Sequence, residues 1–192
     1  MAADIDDDVL DAVARILDRH GVAGLNISAV AAEAGVSRVT LHRRGATLDD
    51  YLVAVLGRVS DDLRASLWPA MTGTGSAAER LAAALRTLCE VCERHAGVMS
   101  AMFGHPPRPL PDRPGRTTSF EFIEPFERLL RDGNVDGSLH SAEPLPDATL
   151  TANMVCWSYL HMRQAHRWDA ETAAGHVVPA AVAHLRPAPR QR

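Results

Sequence analysis

One basic residue type is missing from this chain. All 20 of its lysine-plus-arginine positions are arginine, against 24 aspartates and glutamates, and the formal net charge is −4. An acidic balance does not by itself favour nucleic-acid binding, so any such contact must come from a local basic patch. The lack of lysine, beside abundant alanine, glycine and proline, is explained most simply by a GC-rich coding sequence.

Cysteines and long apolar runs are also scarce. Three cysteines in 192 residues do not make a disulfide framework and are typical of a reducing cytoplasm. No apolar stretch reaches the ~18 residues that indicate a membrane span. The first ten residues, MAADIDDDVL, are acidic where a signal peptide is basic. We therefore expect a cytoplasmic, globular protein with no membrane partner.

Helical spacing dominates what is present. Apolar residues recur three and four positions apart along nearly the whole chain, and no alternating strand pattern appears, so the predicted fold class is all-α. Pro125 is expected to start or kink one helix, and Pro179 to bend the last one. The main predicted helices cover 9–20, 27–34, 38–44, 48–68, a stretch from 77 that includes Cys92, 118–132, Asp147–Trp168 and Asp169–Leu185.

Capping residues and helix breakers set the predicted boundaries. The segments TLDD, beginning at Thr47, and SAAE, beginning at Ser76, both have the capping-box form that starts a helix. Pro69 and the following MTGTGS are predicted to break the helix that starts after Thr47. Five prolines in residues 104–116 predict a loop, and NVDGSLHSAEPLP predicts another.

Residues 26–44 have the spacing of a helix-turn-helix. A short helix capped by Asn26 ends at Gly35, which suits a left-handed turn, and Ser37 can cap the next helix. The segment holds three arginines and one glutamate, so its local charge is 3 − 1 = +2. A helix dense in small polar and basic side chains can reach base edges and phosphates together. The same kind of turn also joins helices that only pack on each other. A DNA-binding motif and a plain pair of packed helices therefore both remain possible interpretations here.

The stretch NISAVAAEAGVSRVTLHRR resembles the DNA-binding segment of the TetR family of bacterial regulators. The matching elements are Val30-Ala31, Ala34-Gly35-Val36-Ser37 and Thr40-Leu41, and the helix ending in Arg19-His20-Gly21 matches the family's first helix. The resemblance implies a TetR-like fold of about nine helices. Its predicted parts are a helix-turn-helix DNA-binding domain at 1–46, a ligand-binding and dimerisation domain at 47–186, and a disordered tail at 187–192.

For function, the resemblance implies a ligand-responsive repressor, not an enzyme, with no cofactor. Such a protein binds a palindromic double-stranded DNA operator as a dimer and responds to a small apolar effector. Arg38 could instead be a solvated surface residue, and His42 a packing substitute for tyrosine. The predicted DNA contacts are Arg38, Val39 and Thr40 toward bases and Ser37, His42, Arg43 and Arg44 toward phosphates.

Several positions depart from the family pattern. His42 stands where the family has tyrosine, Arg44-Gly45 where it has His-Phe, and Leu48 where it has lysine. An acidic start, including Asp7, replaces a frequent basic arm and would repel phosphates. A second hypothesis therefore stays open: a TetR-like small-molecule-binding or interaction protein with weakened or lost operator recognition. A helical enzyme is a more distant alternative, because no catalytic constellation is visible.

The C-terminal region carries two further implications of the resemblance. The last two long helices are expected to pair with their symmetry mates through Leu150, Met154, Trp157, Leu160, Val177, Ala181, Val182 and Leu185. The effector is expected in a cavity lined by Leu88, Cys92, Met99, Met102, Phe103, Phe122, Phe126, Trp157 and His161. Packing within one chain explains both sets equally well.

Cys89, Cys92 and His95 form a cluster that could offer metal or redox chemistry. Their spacing of three drifts around a helix, and no second motif completes a ligand set. Cysteine is also an ordinary core residue, so we predict no metal site.

Overall fold

A computed structural model describes residues 6–103 and 118–187, with the side chains of 44, 102, 103 and 118–121 left out. Within these ranges the chain forms nine α-helices and one 3-10 turn, with no strand. The all-α prediction is therefore confirmed. The predicted loop at 104–116 and residues 188–192 of the predicted tail lie outside the described residues.

The nine helices follow one another in chain order, and the 3-10 turn, Val22–Gly24, lies between the first two. Their bounds are α1 Asp7–His20, α2 Ile27–Glu33, α3 Arg38–Arg44, α4 Leu48–Thr72, α5 Ala77–Arg94, α6 Ala96–Phe103, α7 Thr118–Asp136, α8 Pro144–Gln164 and α9 Ala170–Ala183.

Both predicted capping boxes form. At the start of α4, the Thr47 amide donates to Asp50 Oδ2 over 2.7 Å, and the Asp50 amide donates back to Thr47 Oγ1 over 3.2 Å. Ser76 and Glu79 make the same reciprocal pair before α5, at 2.8 and 3.3 Å. Each box satisfies amide donors that a helix start leaves without intrahelical partners.

The predicted break at Pro69 is wrong, because α4 continues through this residue to Thr72. A proline inside a helix frees the carbonyl four residues earlier, here that of Ala65. Both residues are exposed, so water can satisfy the freed carbonyl. Thr72 Oγ1 donates to the Trp68 carbonyl over 2.9 Å in the last turn.

Helix α7 is longer than predicted at its end, and it runs through Pro125 without starting there. It continues past Gly133 to Asp136, and Gly137 takes the left-handed conformation with φ 74°. The Leu139 amide donates to the Gly133 carbonyl over 3.2 Å, as in a helix end closed by glycine. A Cβ on Gly133 would lie 2.6 Å from the Leu139 side chain, so this glycine makes room for a packed leucine.

The last two helices are confirmed as elements, with shifted ends. Helix α8 begins at Pro144, which the sequence analysis had placed in a loop, because proline fits the first turn of a helix. It ends at Gln164, four residues before the predicted end. Asp169 is not the first residue of α9 but its N-cap, accepting from the Thr172 amide over 2.8 Å. Pro179 lies inside α9.

The chain divides into two compact units. The first comprises Met1–Asp61 and His95–Glu121, and therefore holds α1 to α3, the first half of α4, and α6. Its core is apolar and comes from several helices. The buried residues include Val13, Leu17, Val30, Leu41, Tyr51, Val55, Val98 and Met99.

The second unit comprises Asp62–Arg94 and Phe122–Arg192. In it α5, α8 and α9 pack on one another. One polar group ties α5 to α8: Glu93 accepts from the Tyr159 hydroxyl over 3.0 Å and from Arg163 Nε over 2.8 Å. These bonds hold the pKa of the Glu93 carboxyl below its usual range, with the Arg163 hydrogen bond as the largest cause. We call Glu93, Tyr159 and Arg163 the α5–α8 clamp.

Candidate nucleic-acid interface

The turn between α2 and α3 is closed by a glycine. Gly35 has φ 67°, the left-handed region that side chains disfavour. Its amide donates to the Ala32 carbonyl over 3.3 Å, and the Val36 amide donates to the Ala31 carbonyl over 3.0 Å. This pair of bonds is the Schellman helix end. The turn residue predicted from the sequence is therefore confirmed, and it sets where α3 begins.

Each helix of the motif has a side-chain cap. Asn26 Oδ1 accepts from the Ala29 amide over 2.9 Å, and Ser37 Oγ accepts from the Thr40 amide over 3.0 Å. The hydroxyls of Ser37 and Thr40 also lie 2.8 Å apart, within hydrogen-bond distance. Both predicted N-caps are confirmed. The caps stabilise two seven-residue helices that are too short to be stable alone.

Helix α3 is anchored by one apolar residue, and its other described side chains are exposed within their own unit. Leu41 is buried, with 1% of its surface exposed, and α2 contributes the buried Val30 and Ala31. Val39 is 67% exposed although it is apolar. Arg38, Thr40, His42 and Arg43 are exposed too. This combination leaves an apolar side chain, hydroxyls and guanidinium groups facing away from the core.

An ion-pair cluster that the sequence analysis missed fixes α2 against α1. Glu33 accepts from Arg15 Nε over 2.6 Å and from Arg19 Nη2 over 3.0 Å. Hydrogen bonds from Arg15 and then Arg19 hold the pKa of the Glu33 carboxyl below its usual value. Arg15 and Arg19 are four apart on one helix face, which is the signal that could have suggested a shared acidic partner.

The acidic start of the chain has a partner within the first unit. Arg58 of α4 contacts Asp11 over 2.8 Å and Asp7 over 3.3 Å. One guanidinium group therefore offsets part of the negative charge of two carboxylates of α1. The expected repulsion between Asp7 and phosphates is therefore weaker than the bare sequence indicates.

The departures from the family pattern have local structural roles. Gly45 is the C-cap of α3 in the left-handed conformation, φ 71°, and its amide donates to the His42 carbonyl over 3.2 Å. Leu48 is the first residue of α4. His42 is exposed in the first unit.

The structure gathers the predicted DNA contacts on one short element. Ser37 caps α3 and the other six residues belong to it. The side chain of Arg44 lies outside the described residues. The backbone that presents the remaining side chains is fixed by the caps, by Gly35 and by Leu41.

The predicted effector-contacting residues are spread over both units. Leu88, Cys92, Phe122 and Phe126 are buried in the second unit, and Met99 is buried in the first. Trp157 is 53% exposed and His161 is exposed, and both lie on α8. The side chains of Met102 and Phe103 lie outside the described residues.

Exposed apolar residues form a stripe on α8. Leu150, Met154 and Trp157 are spaced four and three apart and are all exposed, whereas Leu160 is buried. In the matching set, Val177 of α9 is half-buried, Ala181 and Val182 of α9 are buried, and Leu185, two residues after α9, is buried too. We call Leu150, Met154 and Trp157 the α8 stripe.

Two other kinds of site are absent from the parts of the chain that the structure describes. There, no group of three or more histidine, cysteine or acidic side chains is placed to hold a metal ion. No helix in the same ranges is long and apolar enough to cross a membrane.

Comparison with known proteins gives structural matches only. No protein-family model and no curated protein sequence matches the chain. A TetR/AcrR-family transcriptional regulator from Thermobifida fusca is 17% identical with a TM-score of 0.67, covering 93% of this chain and 97% of that chain. SmeT, the repressor of the Stenotrophomonas maltophilia multidrug efflux pump SmeDEF, is 18% identical with a TM-score of 0.70, covering 97% and 93%.

A third similar structure was solved with its ligands. AibR, in complex with isovaleryl coenzyme A and operator DNA, is 20% identical with a TM-score of 0.68, covering 91% of this chain and 96% of that chain. At such identities the likeness establishes the fold. The resemblance first seen in residues 26–44 is thus confirmed over nearly the full length, and the chain has the fold of the TetR/AcrR transcriptional regulators.

Proposed function

We propose that this chain is a DNA-binding transcriptional regulator of the TetR family, acting as a ligand-responsive repressor. The observation that carries the proposal is the outward-facing side of α3, where Arg38, Thr40 and Arg43 are exposed on a helix fixed at both ends. The proposed domains are 1–46 for DNA binding and 47–186 for effector binding and dimerisation. We assign no catalytic residue and no cofactor, and we place the protein in the cytoplasm.

DNA recognition follows from what α3 exposes. Val39 is suited to contact a thymine methyl group, since its side chain is apolar and 67% exposed. Arg38 and Thr40 are suited to base edges in the major groove. Ser37, His42, Arg43 and Arg44 complete the interface as phosphate contacts, which position the helix without reading sequence.

Dimerisation gives the interface its symmetry. The α8 stripe is an apolar surface on a helix whose other side packs against α5 and α9. We propose that α8 and α9 pair with their counterparts in a second copy and cover this stripe. Two copies related by a two-fold axis would present two α3 helices to a palindromic operator, with half-sites about one helical turn (~34 Å) apart.

The proposed effector is a small, largely apolar molecule. Of the nine residues named from the sequence, we propose as its contacts the four that are buried together in the second unit, Leu88, Cys92, Phe122 and Phe126. AibR, which has the same fold, was solved in complex with isovaleryl coenzyme A, whose acyl group is apolar although its coenzyme A part is charged. Short acyl thioesters are therefore a class to test beside small apolar molecules. Binding of the effector is expected to release the operator.

Selection of bound fragments from genomic DNA at physiological salt tests this proposal. We expect enrichment of a roughly palindromic site by the wild-type protein. A variant carrying Val39→Glu and Thr40→Ala should lose that enrichment, because both changes fall on the base-facing side of α3. The matched control is Glu90→Ala, at an exposed position of α5.

Failure to enrich any site would overturn operator binding. The fold would then serve the second hypothesis, a small-molecule-binding or interaction protein without operator recognition. If the α3 variant enriched the site as well as the wild-type protein does, the assignment of Val39 and Thr40 as base contacts would be contradicted.

A further inference from the structure

Two of the three cysteines meet in the core of the second unit. Cys92 of α5 and Cys156 of α8 are 64 residues apart in sequence, and their sulfurs lie 3.6 Å apart. Both are buried, with 0% and 2% of their surfaces exposed. Cys89, one turn before Cys92, is also buried. The sequence analysis had grouped Cys92 with Cys89 and His95, whereas the fold brings it to Cys156.

The α5–α8 clamp fixes the register at this pair. Glu93 follows Cys92 directly, and Tyr159 lies one turn after Cys156, so the bond between them spans the same two helices. Arg163 holds Glu93 from the next turn of α8. These bonds therefore hold α5 and α8 in the register that brings the two sulfurs together.

We propose that Cys92 and Cys156 are a redox-active dithiol, a modification site oxidised by small hydroperoxides to a disulfide that links α5 to α8. Closing the present 3.6 Å to a bond of about 2.05 Å requires a movement of about 1.5 Å, taken up by the two side chains. The proposal does not depend on DNA binding, because it concerns atoms within the second unit alone.

The chemistry takes two steps. A thiolate attacks one oxygen of the hydroperoxide, the O–O bond breaks, and the departing oxide takes a proton to leave as an alcohol, or as water from hydrogen peroxide. The sulfenic acid so formed is attacked by the second thiolate, which expels hydroxide that is protonated to water. The two thiols together lose two electrons and two protons, and one hydroperoxide is reduced.

The hydrogen bond between the thiols sets the order of attack. Cys92 donates its proton toward Cys156 Sγ, and this bond together with burial holds the pKa of Cys92 well above its usual value. We therefore assign the first attack to Cys156 and the second to Cys92. Burial makes the first step slow. It also shields the sulfenic acid from bulky thiols, while the nearby Cys92 can capture it.

Peptide mapping of the full chain tests the pair. The reduced protein is exposed to hydrogen peroxide, its remaining thiols are alkylated under denaturing conditions, and the non-reducing digest is analysed by mass spectrometry. We expect a Cys92–Cys156 cross-link that a thiol reductant removes, with Cys89 recovered as the alkylated thiol. Thermal unfolding of the oxidised protein should occur at a higher temperature, because the cross-link closes a long loop.

Single cysteine variants distinguish a redox-active pair from cysteines that only pack in the core. Cys89→Ser is the matched control and should keep the cross-link, whereas Cys92→Ser should leave Cys156 as a sulfenic acid that a 1,3-diketone probe traps when the protein is denatured in its presence. If a variant does not fold, the peptide map of the oxidised wild-type protein still tests the proposal. Three fully alkylated thiols after peroxide, over-oxidation without a disulfide, or a cross-link involving Cys89 would each overturn the proposal.

Discussion

At position 43 an arginine stands on the exposed side of a helix only seven residues long. Its guanidinium group carries no sequence information in the proposed complex, since phosphates are the same at every step of the duplex. Its contribution is electrostatic and is made by releasing counterions from the DNA. Salt dependence is therefore the property that identifies the role of Arg43.

Arg43→Ala is expected to weaken binding to every DNA sequence and to flatten the dependence of log affinity on log salt concentration by about one unit. Fluorescence anisotropy across a salt series measures both effects. Arg86→Ala, at an exposed position of α5 in the second unit, is the control and should leave the slope unchanged. An unaltered slope for Arg43→Ala would remove this residue from the phosphate contacts.

Two helical glycines differ sharply in their surroundings. Gly97 of α6 lies against α1: its amide donates to Asp18 Oδ1 over 2.9 Å, and a Cβ there would be 2.5 Å from the Asp18 amide nitrogen. Gly57 of α4 has nothing within 4 Å of such an atom. The same substitution therefore has opposite expected effects at the two positions.

Gly97→Ala should lower the free energy of unfolding by about 1–3 kcal/mol, because backbone atoms must shift to admit the methyl group. Gly57→Ala should raise it by up to about 1 kcal/mol, since alanine is the better helix former. Urea denaturation of both variants beside the wild type measures the difference. A stabilising Gly97→Ala would contradict the close packing of α6 on α1.

Between elements, the α5–α8 clamp gives the second unit a dependence on pH. The pKa of the Glu93 carboxyl is lowered from an ordinary value of 4.5, chiefly by the Arg163 hydrogen bond. A lowered folded-state pKa contributes stability that is fully present above the unfolded value and is lost as pH falls through the folded value. The contribution should thus be complete near neutrality and vanish in acid.

Glu93→Gln is expected to destabilise the protein at about pH 7 and to have a progressively smaller effect as pH falls through the lowered folded-state pKa of Glu93. Urea midpoints measured across that range test this expectation. Glu90→Gln, at an exposed position on the same helix, should keep the pH profile of the wild type. A Glu93→Gln effect that is constant with pH would show that the clamp acts through packing and not through its charge.

Local signals predicted these elements well and their ends less well. The Asn26 and Ser37 caps, the two capping boxes and the Gly35 turn all depend on residues within a few positions of each other, so spacing was sufficient to find them. The ends of α4, α7 and α8 depend on exposure and packing. Pro69 is tolerated inside α4 because it is exposed to solvent, and α7 extends past Gly133 because Leu139 packs against that glycine. Both are features of the tertiary structure, which a local sequence pattern does not contain.

In the candidate site too, local features could be predicted from the sequence and contacts between distant residues could not. Residues 37–44 could be found from the sequence because a contiguous short motif carries them. Glu33 with Arg15 and Arg19, Arg58 with Asp11, and Cys92 with Cys156 join residues at least 14 positions apart. These pairings follow from how the helices pack, so they became visible only in the structure.

For the whole molecule, the α8 stripe is the surface on which dimerisation is proposed to depend. Trp157 is its largest side chain and is 53% exposed, and aromatic residues often dominate such interfaces. Trp68 of α4 provides a matched comparison, because it is 69% exposed and lies outside the stripe. The two tryptophans allow one substitution to be made inside and outside the proposed interface.

Trp157→Glu should shift the protein toward monomer, with a loss of about 2 kcal/mol or more in dimerisation free energy, because it buries a charge in an apolar interface. Trp68→Glu should leave the assembly state unchanged. Sedimentation velocity over a concentration series measures both. A wild-type protein that is monomeric throughout the series would contradict the proposed dimer.

Operator recognition is the central claim, and the ratio of specific to non-specific affinity tests it most directly. Binding is measured at one physiological salt concentration to a palindromic fragment enriched from genomic DNA and to the same fragment with its base order shuffled. The account predicts that the wild-type protein binds the enriched site at least about 10³-fold more tightly, and that the Val39→Glu, Thr40→Ala variant loses this preference. Equal affinity of the wild type for the two fragments would contradict it.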